Sequence, residues 1–231
     1  MASPDQTNQR DSLNDVESKY PVSHSQLPQA IFAAPTIANP GPLGLSAFAL
    51  TTLVLSLHNA GAGMPASSPS NVVVGLAAFY GGVVQLLAGM WEFRTGNTFG
   101  ATAFSSYGGF WLSYAAIFIP SFNILGAYSA EGVAATALSH SLGIYLMAWA
   151  LFTALMLIAS HRSSVGLMAL FFFLTITFIL LSASEFNASE HTKIAGGAFG
   201  VITAFVAWYN ALSGLLTQDS SYFLLPTGRL A

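Results

Sequence analysis

The chain has 231 residues, of which 54% are hydrophobic and only 6% are charged, with a formal net charge of -3. Soluble domains carry about 25% charged residues, so a soluble fold of this length would have too few charges to cover its surface. The sequence has no basic stripe, so nucleic-acid binding is not supported. The absence of cysteine excludes disulfides and a thiolate nucleophile. The composition predicts an all-α, multi-pass membrane protein that contacts a lipid bilayer.

Residues 1–38 are predicted to form a disordered cytoplasmic tail, because Ser, Asn, Gln and acidic residues dominate and leave too few apolar side chains for a core. The hydrophobic part then begins at Asn39. Asn39 is expected to cap the first helix, and Pro40 to occupy the first helical position, where its missing N–H costs nothing. Residues 218–231 are predicted to form a short cytoplasmic tail.

Six apolar segments divide the region 39–217, and each is close to the roughly 20 residues that a spanning helix needs. None contains Asp, Glu, Lys or Arg in its interior. The long connection at 121–137 is expected to carry a short helix. The predicted spans are 43–59, 72–91, 98–119, 138–160, 165–184 and 194–216.

The basic residues predict the orientation of the six spans, since Lys and Arg are enriched on the cytoplasmic side. One side of the membrane would hold five of the six, and the opposite side would hold only Lys193. Both termini are therefore predicted to be cytoplasmic. The five on the cytoplasmic side are Arg10, Lys19, Arg94, Arg162 and Arg229.

Uncharged polar residues within the spans are the candidate functional residues, because buried polar groups in lipid need partners. They either join helices by hydrogen bonds or line a water-accessible path. Gln85 favours a path most, since its amide has four hydrogen-bonding valences to satisfy. The other candidates include Thr51, Ser106, Tyr107 and Thr175.

Residues that support catalysis are not found. The histidines form no i, i+4 pair and the serines have no His and Asp arrangement, so neither an enzyme, nor a metal site, nor a cofactor is predicted. A path without fixed charge would hold a small anion loosely, as conduction requires. Glu92, near the end of the second span, either forms an interfacial ion pair with Arg94 or anchors the helix end, or it is a protonatable group at the cytoplasmic mouth.

Residues 39–45 read Asn-Pro-Gly-Pro-Leu-Gly-Leu and resemble the Asn-Pro-Ala-Pro-Leu-Gly-Leu signature of the acetate uptake transporter family. That family includes bacterial succinate–acetate permeases and their fungal relatives. Gly41 departs from the usual Ala or Val. The resemblance extends in order to about residue 228, through 57–61, 79–82, 88–93, 96–100, 102–111, 173–175 and 225–228.

The resemblance implies a six-helix protomer, assembled as a homohexamer in the plasma membrane, with a path for acetate and related short carboxylates. It implies an apolar constriction formed by Phe48, Tyr107 and Leu174. Gln85 would be a polar residue on the path, and Ala207 would line it in the sixth span.

Three functional hypotheses follow. The first is a carboxylate transporter or channel, in which Asn39 at the positive end of a helix attracts the anion and either His58 or Glu92 carries a coupled proton. The second is a channel for a small neutral solute such as ammonia, urea or water. The third is a membrane sensor that acts through its N-terminal tail.

Overall fold

The computed structural model describes residues 37–228 and residue 230. Within this part of the chain there are helices and no strands, which confirms the all-α prediction. A 3-10 turn at Pro120–Phe122 and a short helix at Ile124–Tyr128 lie in the connection that was expected to carry one. Residues 1–36 of the predicted tail lie outside the described residues. The long helices are α1 (Gly41–Asn59), α2 (Val73–Thr95), α3 (Thr98–Phe118), α4 (Ala137–Ala159), α5 (Val165–Asn187) and α6 (Glu190–Leu215).

By length and composition, α1, α2, α4, α5 and α6 are apolar enough to cross a membrane. Helix α3 is not among these five, because glycine, serine, threonine and tyrosine make up much of its sequence. It nevertheless has 21 residues and no charged side chain. At 1.5 Å per residue its length is about 31 Å, which matches the roughly 30 Å hydrocarbon layer of a bilayer.

Charged residues lie inside the end turns of three helices, so the helices extend beyond the predicted spans at these points. Helix α2 includes Glu92, α5 includes Glu185 and α6 includes Lys193. The helices continue until a capping residue stops them, and a single charge does not stop them. Gly96 ends α2 in a left-handed conformation with φ 82°, and the Ser189 hydroxyl caps the first turn of α6 at 3.3 Å.

The start of α1 differs from the prediction by one residue. The Asn39 side-chain oxygen accepts a hydrogen bond from the Gly41 N–H at 3.0 Å, as a capping side chain does. The first helical residue is Gly41, however, so Pro40 precedes the helix and does not occupy its first position. The Pro40 carbonyl accepts the first intrahelical bond, from the Gly44 N–H at 3.1 Å.

Helix α2 contains a π-helical segment, Phe79–Val84, between two α-helical parts. Single π turns are rare and frequently lie at functional sites. Gly81 in this segment packs against α1, since a Cβ there would lie 2.7 Å from the Thr51 hydroxyl oxygen. The first residue after the segment is Gln85, so the irregular turn directly precedes a buried polar side chain of α2.

Close helix pairs are α1 with α6, α4 with α5, α5 with α6 and α2 with α3. Small residues allow these contacts, because they let helix backbones approach closely. A Cβ on Gly197 of α6 would lie 2.8 Å from the Ser56 carbonyl of α1, and a Cβ on Gly108 of α3 would lie 2.9 Å from the Leu86 nitrogen of α2. Helix α3 meets α4 through aromatic side chains such as Phe110 and Trp149, whose ring centroids are 5.1 Å apart.

The segment after α6 is fixed across the start of α5. The carbonyl oxygens of Thr227 and Gly228 accept hydrogen bonds from the first two N–H groups of α5, at 3.1 and 2.9 Å. The Tyr209 hydroxyl donates to the Pro226 carbonyl at 2.7 Å. These bonds satisfy N–H groups that a helix start otherwise leaves without partners.

Candidate functional site

Phe48 and Leu174 line two cavities among the helices. The larger one, here called the wide cavity, has a volume of about 440 Å³, and the narrow cavity has a volume of about 160 Å³. Tyr107 lines the narrow cavity, and Phe110, nearly one turn further along α3, lines the wide one. An apolar layer therefore separates two spaces that approach it from opposite sides.

The apolar layer consists of Phe48, Tyr107 and Leu174, from α1, α3 and α5 respectively. Their exposed fractions are 4%, 2% and 3%. The rings of Phe48 and Tyr107 meet edge to face with centroids 5.8 Å apart, and Tyr107 stacks on Phe171 at 6.3 Å. The structure thus brings together the three residues that the resemblance selected.

Tyr107 is fixed by a hydrogen bond to α4. Its hydroxyl donates to the Thr153 hydroxyl oxygen at 2.9 Å, and Thr153 in turn donates to the Trp149 carbonyl at 2.7 Å. Both side chains are almost fully buried. Because the phenol proton is already used in this chain of bonds, Tyr107 contributes chiefly its aromatic ring to the layer.

The narrow cavity is bounded by the N-terminal ends of α1 and α3 together with two polar side chains of α2. Asn39 and Asn97 line it at the two helix starts, and the Asn97 side chain caps α3 by accepting the Gly100 N–H at 3.0 Å. Gln85 and Glu92 line it from α2, with exposed fractions of 1% and 3%. Helix starts carry a partial positive charge, so this space is suited to a carboxylate.

Glu92 lies between the two helix starts. A Cβ on Gly41 would be 3.5 Å from one of its carboxylate oxygens, and a Cβ on Gly100 would be 2.9 Å from its carboxyl carbon. The Thr95 hydroxyl donates to the other oxygen at 3.3 Å. Within the described residues Glu92 forms no ion pair with Arg94, so the interpretation of an interfacial ion pair does not describe this geometry.

The wide cavity is apolar near the layer and polar further away. Phe110, Leu174 and Phe178 line its apolar part. Two charged side chains, Glu185 and Lys193, also line it. The uncharged polar lining consists of Thr52, Ser56, Asn59, Ser67, Ser68, Ser70, Asn71, Tyr114, Tyr145 and Thr177.

Three lining side chains have a buried polar atom without a hydrogen-bond partner in the described part of the chain. They are the Thr52 hydroxyl and the Trp111 indole nitrogen at the wide cavity, and the Gln85 amide oxygen at the narrow one. Leaving such a group unpaired costs about 1–3 kcal/mol. Water or a solute in the cavities would reduce this cost.

Three of the polar residues selected from the sequence lie outside the lining of both cavities. The Thr51 hydroxyl donates to the carbonyl one turn earlier in α1 at 2.9 Å and packs on α2. Thr175 makes the same kind of bond within α5 at 2.7 Å. Ser106 is half-buried. The hydroxyls of Thr51 and Thr175 are therefore satisfied within their own helices.

Ala207 and His58 also lie away from the two cavities. Ala207 is fully buried in the hydrophobic core beside the layer. His58 is half-buried near the end of α1, and its Nδ1 atom is buried without a partner among the described residues. No group of three metal-ligating side chains occurs within the described part of the chain.

The sequence alone did not select Asn97, Glu185 or Lys193 as lining residues. Asn97 directly precedes α3, and the two charged residues lie within three residues of predicted span ends. A charge close to the end of an apolar segment is the signal that could have identified the two charged residues. The predicted spans end before Glu185 and begin after Lys193, so neither residue was considered as a lining residue.

Comparison with known proteins gives the family. A family model described as the GPR1/FUN34/yaaH family matches residues 25–231. Over 188 residues the chain is 52% identical to "Ammonia transport outward protein 2" of Saccharomyces cerevisiae, covering 81% of this chain and 65% of that protein. Over 196 residues it is 49% identical to "Acetate permease A" of Emericella nidulans, covering 82% and 65%. The chain thus spans about 65% of the length of both relatives.

A solved structure described as the bacterial acetate channel SatP superposes with a TM-score of 0.72 and 35% sequence identity. The superposition covers 84% of this chain and 100% of that one. The fold, the arrangement of apolar helices and the sequence similarity over most of the chain all indicate the same family. The chain belongs to the GPR1/FUN34/yaaH family.

Proposed function

We propose that the chain is a membrane transporter or channel for acetate and related short-chain carboxylates. The observation that carries this proposal is the pair of cavities that meet at Phe48 and Leu174. Such an arrangement is what a solute path with one constriction needs. The names of the relatives, which include an acetate permease and an acetate channel, support the choice of substrate.

The narrow cavity fits a solute of few atoms. Its 160 Å³ is about five times the ~30 Å³ that one water occupies in the liquid. Acetate, with four non-hydrogen atoms, is of this order. We infer that its carboxylate lies toward the starts of α1 and α3, near Asn39 and the Gln85 amide, and that its methyl group lies toward the layer.

The apolar layer acts as the selective step in this proposal. Phe48, Tyr107 and Leu174 offer no partner that would replace the water around a small inorganic ion, so its desolvation is costly. A monocarboxylate presents a methyl group to the layer. Such a solute passes the constriction at a lower cost than a hydrated ion of the same charge.

Glu92 is the proposed proton carrier. An ionised Glu92 would repel a substrate carboxylate in the same narrow cavity, since like charges at a few Å in a partly buried site interact strongly. A proton on Glu92 removes this repulsion. His58, the other candidate, lies outside the lining of both cavities, which favours Glu92.

The test is uptake of radiolabelled acetate by the purified chain in proteoliposomes, with and without a pH gradient and an uncoupler. We expect saturable uptake that the gradient drives. In Glu92→Gln the gradient should no longer drive accumulation, while downhill exchange continues. Absence of saturable acetate uptake would reject the substrate. Gradient-driven accumulation by Glu92→Gln would reject Glu92 as the proton carrier.

We further propose a homohexamer in the plasma membrane with both termini cytoplasmic. The excess of basic residues on one side supports the orientation. Large apolar side chains on α4, including Ile144, Leu151 and Leu155, are more than 60% exposed, so this helix needs lipid or another protomer as its neighbour. Mass determination in detergent and labelling of single cysteines introduced at Ala62 and Arg162 would test the assembly and the orientation.

Ammonia transport is the second candidate, because one relative is named an ammonia transport outward protein. The uncharged part of the wide-cavity lining is compatible with a neutral solute. Parallel measurement of acetate and ammonia flux in the same vesicles separates the two. Ammonia flux without acetate flux would favour this candidate.

A further inference from the structure

The wide cavity has two charged side chains in its lining, one from each of two adjacent helices. Glu185 lies in the last turn of α5, and Lys193 lies in the first turn of α6. Both are half-buried. Lys193 is close enough to act electrostatically on Glu185, yet within the described structure the two do not form a direct ion pair. A carboxylate of a solute would therefore find Lys193 available.

Either charge alone would hinder transport of an anion. A lysine in a cleft raises the local concentration of anions and the rate of their capture. Without a competitor it would also hold a carboxylate and slow its departure toward the layer. A glutamate alone would repel the same anion. The two side chains together allow capture and release, because the Lys193 ammonium binds either the substrate carboxylate or the Glu185 carboxylate.

We propose that Lys193 and Glu185 form an exchange pair that admits monocarboxylates to the wide cavity. Lys193 captures the substrate carboxylate, and Glu185 then competes for the ammonium and releases the substrate toward Phe48 and Leu174. This proposal rests on the proposed function and adds the step that precedes the apolar layer.

The exchange pair also discriminates between substrates by charge. A monocarboxylate held by Lys193 presents only a short alkyl group to the rest of the cavity. A dicarboxylate has a second carboxylate, which must lie in the same cavity as Glu185, where like charges repel each other. Uncharged side chains complete the surroundings, among them Ser70 and Tyr114, whose hydroxyl oxygens are 3.4 Å apart. We therefore expect Glu185 to disfavour succinate relative to acetate.

The experiment measures KM and Vmax for labelled acetate and succinate in proteoliposomes. Lys193→Gln should raise the acetate KM about three- to tenfold and leave Vmax nearly unchanged, while Lys193→Arg should restore the KM. Glu185→Gln should lower both KM and Vmax for acetate, because release is slowed. It should also raise succinate uptake relative to acetate at least threefold.

Two controls are matched in charge and lie outside the lining of the described cavities. Glu190 is an exposed carboxylate at the same end of α6, and Arg162 is an exposed cation after α4. Glu190→Gln and Arg162→Gln should leave KM, Vmax and the substrate ratio as in the unmodified chain. The amount of correctly inserted protein is measured for each variant, so that a folding defect is separated from a transport defect.

Some results would overturn the exchange pair. An unchanged acetate KM in Lys193→Gln would remove the capture step. A raised KM in Glu185→Gln would show that the pair is merely structural. Uptake by the unmodified chain distinguishes these outcomes from failure of the proposed function, since a chain that does not take up acetate at all would reject both proposals together.

Discussion

Replacing Leu174 by alanine should widen the apolar layer and admit larger acids. Leu174 is 3% exposed and is one of two residues of the layer that line both cavities. The substitution removes three carbon atoms from the barrier and leaves Phe48 and Tyr107 in place. Acetate already passes, so the change should matter most for solutes that the native constriction rejects by size.

Two magnitudes follow. Three carbons at about 0.8 kcal/mol each correspond to roughly 2.4 kcal/mol of lost burial, in the lower part of the about 2–5 kcal/mol measured for buried leucine to alanine. Steric rejection of one extra methylene in an apolar pocket is worth about 1–3 kcal/mol, or about 10- to 200-fold. We therefore expect the uptake ratios of lactate and succinate to acetate to rise by about tenfold or more.

The assay is competition among labelled acetate, lactate and succinate in the same vesicles. Met156→Ala is the control, because Met156 is also buried in the hydrophobic core, with 6% exposed, but lines neither cavity. Its stability loss should be similar and its substrate ratio should stay native. A native ratio in Leu174→Ala, or an equal rise in Met156→Ala, would refute the assignment of the layer.

Three further predictions concern the neighbouring contacts. Tyr107→Phe should leave the Thr153 hydroxyl without its aromatic partner, lower stability by about 1 kcal/mol and keep substrate selectivity, as thermal unfolding and competition would show. Gly108→Ala should cost at least about 1–3 kcal/mol, because its Cβ would lie 2.9 Å from the Leu86 nitrogen; a native melting temperature would contradict this packing. Gln85→Leu should reduce acetate uptake at least tenfold with normal insertion into the membrane, and native uptake would remove Gln85 from the path.

The number of helices and their approximate positions could be predicted, because each long apolar segment has one stable form in lipid. The helix ends were less accessible. Glu92, Glu185 and Lys193 were expected outside the spans, whereas capping by the left-handed Gly96 and by the Ser189 hydroxyl sets the ends of α2 and α6. A charge at the end of a helix is compatible with a membrane when a cavity accommodates it.

The candidate site was only partly accessible from residue chemistry. Thr51 and Gln85 look alike in the sequence as polar residues within spans, yet a threonine hydroxyl satisfies itself on the carbonyl one turn earlier. The Gln85 amide has too many hydrogen-bonding groups to be satisfied by one backbone carbonyl. Phe48 and Leu174 were identified from the family resemblance alone. The sequence of an apolar helix does not show which face an apolar residue occupies.

The π-helical segment Phe79–Val84 has a consequence for how α2 tolerates insertions and deletions. A π turn holds one residue more than an α turn, so the segment acts as a register shift in the middle of the helix. Deleting one residue here would restore a regular α-helix with little change in the relative rotation of its two halves, because the π turn holds the extra residue. If all six residues of the segment instead formed a regular α-helix, one half of α2 would rotate by about 100° relative to the other. With Gly81 held against Thr51, that rotation would turn Gln85 and Glu92 away from the narrow cavity. The π-helical form of this segment thus determines which side chains of α2 reach the narrow cavity.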